Sequence, residues 1–333
     1  MSGAVQPLLS YGSVPVPAFL STLVLGSSGF LAPGPDSNIV RLAATSNGLA
    51  TNAANKSVPL APGSLGGAYF LNGLYIVSDN SGNIISSADG VTWTAGSLNG
   101  AGDLLVPYGM IYDDSHSKLV GCIFGSSTVV TGSGTSPLNL TPSATPNTIN
   151  TLGYRPGSGV ILGLTNDGSG NVYKSTNGGT TWVLAASNIF QSIPGDGWYI
   201  AYGHTQWLAL GNDSSGNYLA TVSTNDGTTW STPVNTSLTT SVSGSINAGT
   251  DNLGNWVIIS TSGDPNGYAV SGDDGLTWTA PNIFPQMGGF APFGMVWDGS
   301  KWNGIFFDPT QSYEFIGTSS NGSTWTVGPT VTN

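Results

Sequence analysis

Apolar residues in this 333-residue chain come in short runs, many of them β-branched or aromatic, and each run is soon cut by Gly, Asn, Asp, Ser or Pro. That pattern predicts strands joined by tight turns. Residues 198–230 serve as the template. They predict a first strand at 198–202, a turn at Gly203-His204, a second strand at 206–210, a polar loop at 212–216, a third strand at 217–223 and a fourth from Thr228. The segments 255–259 and 301–307, each with a tryptophan near its start, fill the second-strand slot again. No window has the helical period, and 49 Gly with 20 Pro would break a helix quickly.

The turn after the third strand recurs. Ser/Thr-x-x-x-Gly-x-Thr-Trp starts at Ser86, Ser175, Ser223, Ser271 and Thr318 and ends at Trp93, Trp182, Trp230, Trp278 and Trp325. Successive tryptophans are 89, 48, 48 and 47 residues apart, and the first gap holds a degenerate copy around Gly134 with Pro137 in the tryptophan slot. A further copy lies upstream, so the repeat glycines are 48, 90, 134, 179, 227, 275 and 322. A period of 42 to 49 residues with four strands per unit predicts an all-β chain, a single seven-bladed β-propeller over residues 15–333. Residues 1–14 are left as an N-terminal arm or edge strand.

This repeat resembles the Asp-box, or BNR, repeat of sialidases, sortilin-type receptors and photosystem II assembly propellers. Two residues before the glycine, where that family has its acidic residue, stand Ala88, Asn177, Asn225, Asp273 and Ser320. The resemblance implies a structural turn whose tryptophan packs between blades, so Trp93, Trp182, Trp230, Trp278 and Trp325 are assigned to the scaffold. It also implies ligand sites on the face opposite the motif turns.

Charge narrows the partners. Only 7% of residues are charged, with 17 acidic against 6 scattered basic side chains, a net charge of −11 that repels nucleic acid and anionic membranes. Cys122, in an apolar second strand, is the lone cysteine and reads as a buried thiol. The N-terminus lacks the basic start and apolar core of a signal peptide, and no apolar run is long enough to span a membrane. By analogy of composition the expected setting is a bacteriophage virion, with other virion proteins as partners.

The sialidase chemistry that the resemblance brings to mind needs three arginines and a glutamate partner for a tyrosine, and the chain has Arg41, Arg155 and Glu314 alone. Another glycosidase would need two carboxyl groups about 5 to 9.5 Å apart. The aspartates of the second-to-third-strand loops (Asp36, Asp79, Asp167, Asp213, Asp264, Asp308) sit instead among turn-forming residues. Those loops are the one place where calcium could be held; otherwise no cofactor is expected. Binding is the stronger reading. Connections between blades carry Asp103, Tyr108, Asp196, Trp198, Tyr199, Phe284 and Phe290, aromatic planes beside carboxylates, which suits a sugar. The expected function is a tail or fibre module recognising a cell-surface glycan, with a structural subunit docking another virion protein as the alternative and a glycoside hydrolase as the lesser one.

Overall fold

The computed structural model describes residues 24–26, 29–33, 39–43, 54–57, 65–79, 83–99, 107–123, 125–191, 197–238, 246–260, 267–283, 286–288, 291–308 and 313–331. The arm at 1–14 and the first repeat glycine, Gly48, lie outside them.

Every sheet is an antiparallel meander. Four-stranded sheets cover 24–57, 65–95, 107–144, 149–186, 197–235 and 291–331, and a three-stranded sheet covers 246–271. The seven expected four-stranded blades are therefore six. In the remaining unit the outer strand is reduced to one bridge, Val270 to Thr279. Sequence explains the shortfall: the next hydrogen-bonded position along that ladder falls on Pro281, which has no N–H to donate.

Sheets are numbered 1 to 7 below in chain order. First strands pack on one another from sheet to sheet: Leu65–Leu71 on Pro107–Asp113, that strand on Ile149–Arg155, and that one on Gly197–Gly203. The first strands are thus innermost and the fourth strands outermost, the arrangement of a β-propeller. The core lies between neighbouring sheets. Leu162 meets Trp207 across sheets 4 and 5, Leu208 meets Trp256 and Trp278 across sheets 5 and 6, and Val257 meets Trp302 and Trp325 across sheets 6 and 7.

A repeated interlock fixes the spacing there. A Cβ on Gly153 would stand 2.9 Å from the ring of Trp207, on Gly203 2.6 Å from Trp256, and on Gly249 3.2 Å from Trp302. In each case a first-strand glycine makes room for the second-strand indole of the next sheet. Trp207, Trp256 and Trp302 are among the largest fully buried side chains.

The repeated turns show their chemistry directly. Ser175, Ser223 and Ser271 Oγ accept the N–H of Gly179, Gly227 and Gly275 at 3.0, 3.1 and 2.9 Å. In two copies the expected serine shifts: Ser87, not Ser86, caps Gly90 at 2.8 Å, and Ser319, not Thr318, caps Gly322 at 2.9 Å. These turns are one residue shorter. Counted from the capping serine, the acceptor two residues on is Asp89, Asn177, Asn225, Asp273 and Asn321, so the expected Ala88 and Ser320 are replaced. Each of these side chains accepts a backbone N–H from the following threonine, 2.7 to 3.0 Å away. The glycines have φ between 72 and 88°, a region costly for other residues. This wrapped turn delays the fourth strand, which starts at Val234 in sheet 5 rather than at Thr228.

Gly134 occupies the corresponding connection of sheet 3, between Thr128–Ser133 and Thr141–Ala144. The motif turns are also clasped by the preceding sheet. Asn72 donates to Gly134 O at 2.8 Å, Arg155 pairs with Asp226 at 2.8 Å, and Gln206 donates to Asp274 O at 2.8 Å. His204 Nδ1 lies 2.6 Å from an Asp274 carboxylate oxygen, and the Tyr268 hydroxyl donates to Gly322 O.

Candidate functional site

At the connection face the first strand of most sheets carries one residue too many. The register between first and second strands slips once in five sheets, leaving Gly66, Gly109, Asn150, Trp198 and Phe293 as the extra residue. Such a bulge re-aims its side chain and commonly borders functional sites. Trp198 occupies this position in sheet 5. It is half-buried, and its indole N–H donates to Asn212 Oδ1 at 3.0 Å, which ties the ring to the end of its own second strand.

Its neighbour goes elsewhere. Tyr199 is buried, only 9% exposed, and burial pushes its hydroxyl well above the ordinary tyrosine range. The two residues expected at the ligand site therefore differ in burial, Trp198 half-buried on the bulge and Tyr199 buried beside it. Tyr108 pairs with Cys122 in its ladder. Asp103, Asp196, Phe284 and Phe290 lie outside the described residues.

Many aspartates within the described residues serve turns, while Asp114, Asp226 and Asp274 bond a neighbouring sheet. On the connection face, Asp213 accepts from the N–H groups of Ser215 and Asn217 at 2.8 Å each and from the Asn217 amide at 2.9 Å. These bonds, the Asn217 amide foremost, hold its carboxyl below the usual carboxylate range. Asp167 accepts from Asn147 at 2.8 Å and from Ser169 N–H at 3.1 Å. On the motif face, Asp113 bonds the His116 ring at 2.6 Å, Asp251 accepts from Leu253 at 2.7 Å and Asp298 from Ser300 and Lys301 at 2.9 Å each. Asp36 and Asp264 lie outside the described residues, and Asp79 and Asp308 end their second strands. Among the described residues no three His, Cys, Asp or Glu side chains come close enough together to hold a metal ion.

A recess opens along the inner wall between sheets 5, 6 and 7. Tyr199 and Tyr202 of Gly197–Gly203, Thr250 and Asn252 at the end of Ile246–Thr250, and Trp297 and Trp302 around the turn of sheet 7 line it. Most of these residues border first-to-second-strand turns, so the recess lies toward the motif face. Sequence reasoning missed it. The available signal was an aromatic on both sides of that turn, Tyr202 with Trp207 and Trp297 with Trp302, whose rings meet edge-to-face at 5.3 and 5.6 Å.

No family model and no curated protein sequence matches the chain. Solved structures do resemble it. A structure of YCF48 bound to a D1 peptide aligns with a TM-score of 0.57 at 10% identity, over 96% of this chain and 94% of that one. The designed Ika8 protein aligns at 0.56 with 9% identity, over 94% and 96%. A chain of the mitotic checkpoint complex reaches 0.50 with 12% identity, over 79% of each. The shared feature is the β-propeller fold.

Proposed function

We propose that this chain is a non-catalytic recognition module on a bacteriophage virion, binding a cell-surface glycan through its connection face. The observation that carries the reading is the bulge at Trp198. It lifts a half-buried indole out of the ladder beside Asn212, an aromatic plane with an amide at its edge, on a sheet otherwise locked by its neighbours. Two further features support it. Several described aspartates are held in their own turns and others, such as Asp114, Asp226 and Asp274, bond a neighbouring sheet, and a skin of Ser, Thr, Asn and Gly with 7% charged residues suits hydrogen bonding to neutral hydroxyls. The three-stranded unit counts here as a reduced member of a seven-unit Asp-box-type ring, because its turn at Ser271–Gly275 repeats the same bonds as its neighbours.

Docking onto another virion protein is the second reading. The peptide held by the YCF48 propeller favours it, since that scaffold of the same fold offers a surface to a polypeptide. One experiment separates the two. Trp198→Ala combined with Asp196→Ala is expected to leave the circular dichroism spectrum unchanged and to weaken attachment to host envelopes about tenfold, the scale of one lost anchoring contact. Unchanged attachment by the folded variant would favour docking, and release of reducing sugar by the wild-type chain would overturn the non-catalytic reading.

A further inference from the structure

Two matching clasps on the motif face are built with different cations. In sheet 5, Asp226 Oδ1 accepts from Arg155 of sheet 4 at 2.8 Å and from the indole N–H of Trp207 at 3.2 Å. In sheet 6 an aspartate recurs at the same place, Asp274, three residues after the capping serine. The register agrees as well, since Ser223 pairs with Trp207 in the one ladder and Ser271 with Trp256 in the other. Here His204 of sheet 5 takes the part of the arginine. Its Nδ1 lies 2.6 Å from Asp274 Oδ2, which also accepts from the Thr205 hydroxyl at 3.3 Å. A guanidinium keeps its charge, whereas an imidazole gains and loses a proton between about pH 5 and 8.

The inner half of the second clasp is unmade. Asp274 Oδ1 and Trp256 Nε1 match the atoms bonded in sheet 5, yet both are buried and neither has a hydrogen-bond partner among the described residues. An unmet buried acceptor and an unmet buried donor are both costly, so the carboxylate keeps its outward seat by the pull of a charged ring. We propose that Asp274 is a two-position latch on the seam between sheets 5 and 6: outward on His204 when that ring is protonated, inward on Trp256 when it is neutral. Gly254 leaves room for the turn, because a Cβ there would stand 3.6 Å from His204 Nδ1 and 3.7 Å from Asp274 Oδ1. The backbone of the turn stays anchored throughout by Gln206 on Asp274 O and by Asp274 N–H on Gly254 O, each at 2.8 Å. Other titratable or charged groups on the described elements packed around the pair have partners of their own. Asp251 bonds Leu253 and Asn255, Asp273 bonds Thr277 and Ser271, and Asp226 holds Arg155, whose guanidinium lies over Tyr202. The latch therefore follows His204, and it is independent of what the connection face binds.

Indole ¹H–¹⁵N NMR spectra of the purified chain, recorded from about pH 5 to 8, test it. The readout is local, because a partly exposed ion pair contributes little to global stability. The Trp256 N–H resonance should move downfield as the pH rises, with the midpoint shown by the His204 ring, while Trp207, beside the permanently charged Arg155, stays fixed. His204→Gln should hold Trp256 at its high-pH position throughout, and His204→Arg at its low-pH position. Asp274→Asn, which suits the backbone φ of 63°, should make Trp256 independent of pH and decides the matter if the His204 variants do not fold. A Trp256 resonance that is flat in the wild type, that still titrates in His204→Gln or Asp274→Asn, or that moves together with Trp207 would overturn the latch.

Discussion

Trp278 shows what a motif tryptophan contributes. Its ring is 7% exposed within the core between sheets 5 and 6, and its N–H donates to Gly275 O at 3.0 Å. Truncation to alanine should cost about 3 to 5 kcal/mol in urea unfolding, as for other buried aromatics. Trp93 is only half-buried and its N–H has no partner among the described residues, so Trp93→Ala should cost clearly less in the same measurement. The pattern in the sequence identified both residues but not this difference, because it registers spacing and not how far the neighbouring sheet covers a ring. Acid stability follows from the turns. Asp89 is held far below the usual range by the N–H groups of Thr92 and Val91 and by the Ser87 hydroxyl, and Asp213 is lowered by Asn217. A carboxyl with a lower pKa in the folded state stabilises fully above its unfolded value near pH ~4 and loses that contribution as the pH falls toward the folded value. Urea midpoints should therefore be flat from neutral pH to about 5 and drop below about 4, with a shallower drop in Asp213→Asn.

Strands obey the sequence in their order and disobey it at their ends. The first, second and third strands of sheet 5 fall within two residues of the expected limits, since alternation and turn residues mark them. The fourth starts six residues late because Asn225 draws the chain back over the turn, a side-chain bond that no periodicity records. The second-strand tryptophans carry a similar lesson. Trp256 and Trp302 are legible as strand residues, yet that each seats against a glycine of the preceding sheet is visible only in three dimensions. Gly203→Ala tests that contact: its Cβ would lie 2.6 Å from Trp256 and 2.8 Å from Thr250, and overpacking of this kind costs about 1 to 3 kcal/mol. Gly125→Ala, whose Cβ meets nothing within 4 Å, should cost only the strain of its φ of 68°, about 1 to 2 kcal/mol.

Across the chain, the repeat made the propeller legible, and it did so because each unit solves the same packing problem with the same turn. The candidate sites were far less legible. Repeats display what units share, whereas recognition rests on what one unit has and its neighbours lack, such as an indole on the bulge of sheet 5 alone among the described side chains. Stability without disulfides has its own signature. Cys122 is wholly buried between sheets 3 and 4, and burial pushes its thiol far above the ordinary range. A thiol reagent should label the native protein at least ~100-fold more slowly than the unfolded chain, since only the thiolate reacts. Rapid native labelling would show that these sheets part easily.

The clasps that run from sheets 2, 4, 5 and 6 to the motif turn of the next sheet bear on how such a chain gains and loses length. A unit's donors, Asn72, Arg155 or Gln206, find their acceptors one period downstream, and its first-strand glycine finds its indole there too. None of these described periods is complete by itself. Deleting or duplicating one whole period rejoins a donor end to an acceptor end of the same kind wherever the breakpoints fall, so copy number can drift in whole periods. A deletion of a single strand instead disturbs both joints at once. Chimeras made by exchanging periods will stand or fall on those two joints more than on the sequence between them.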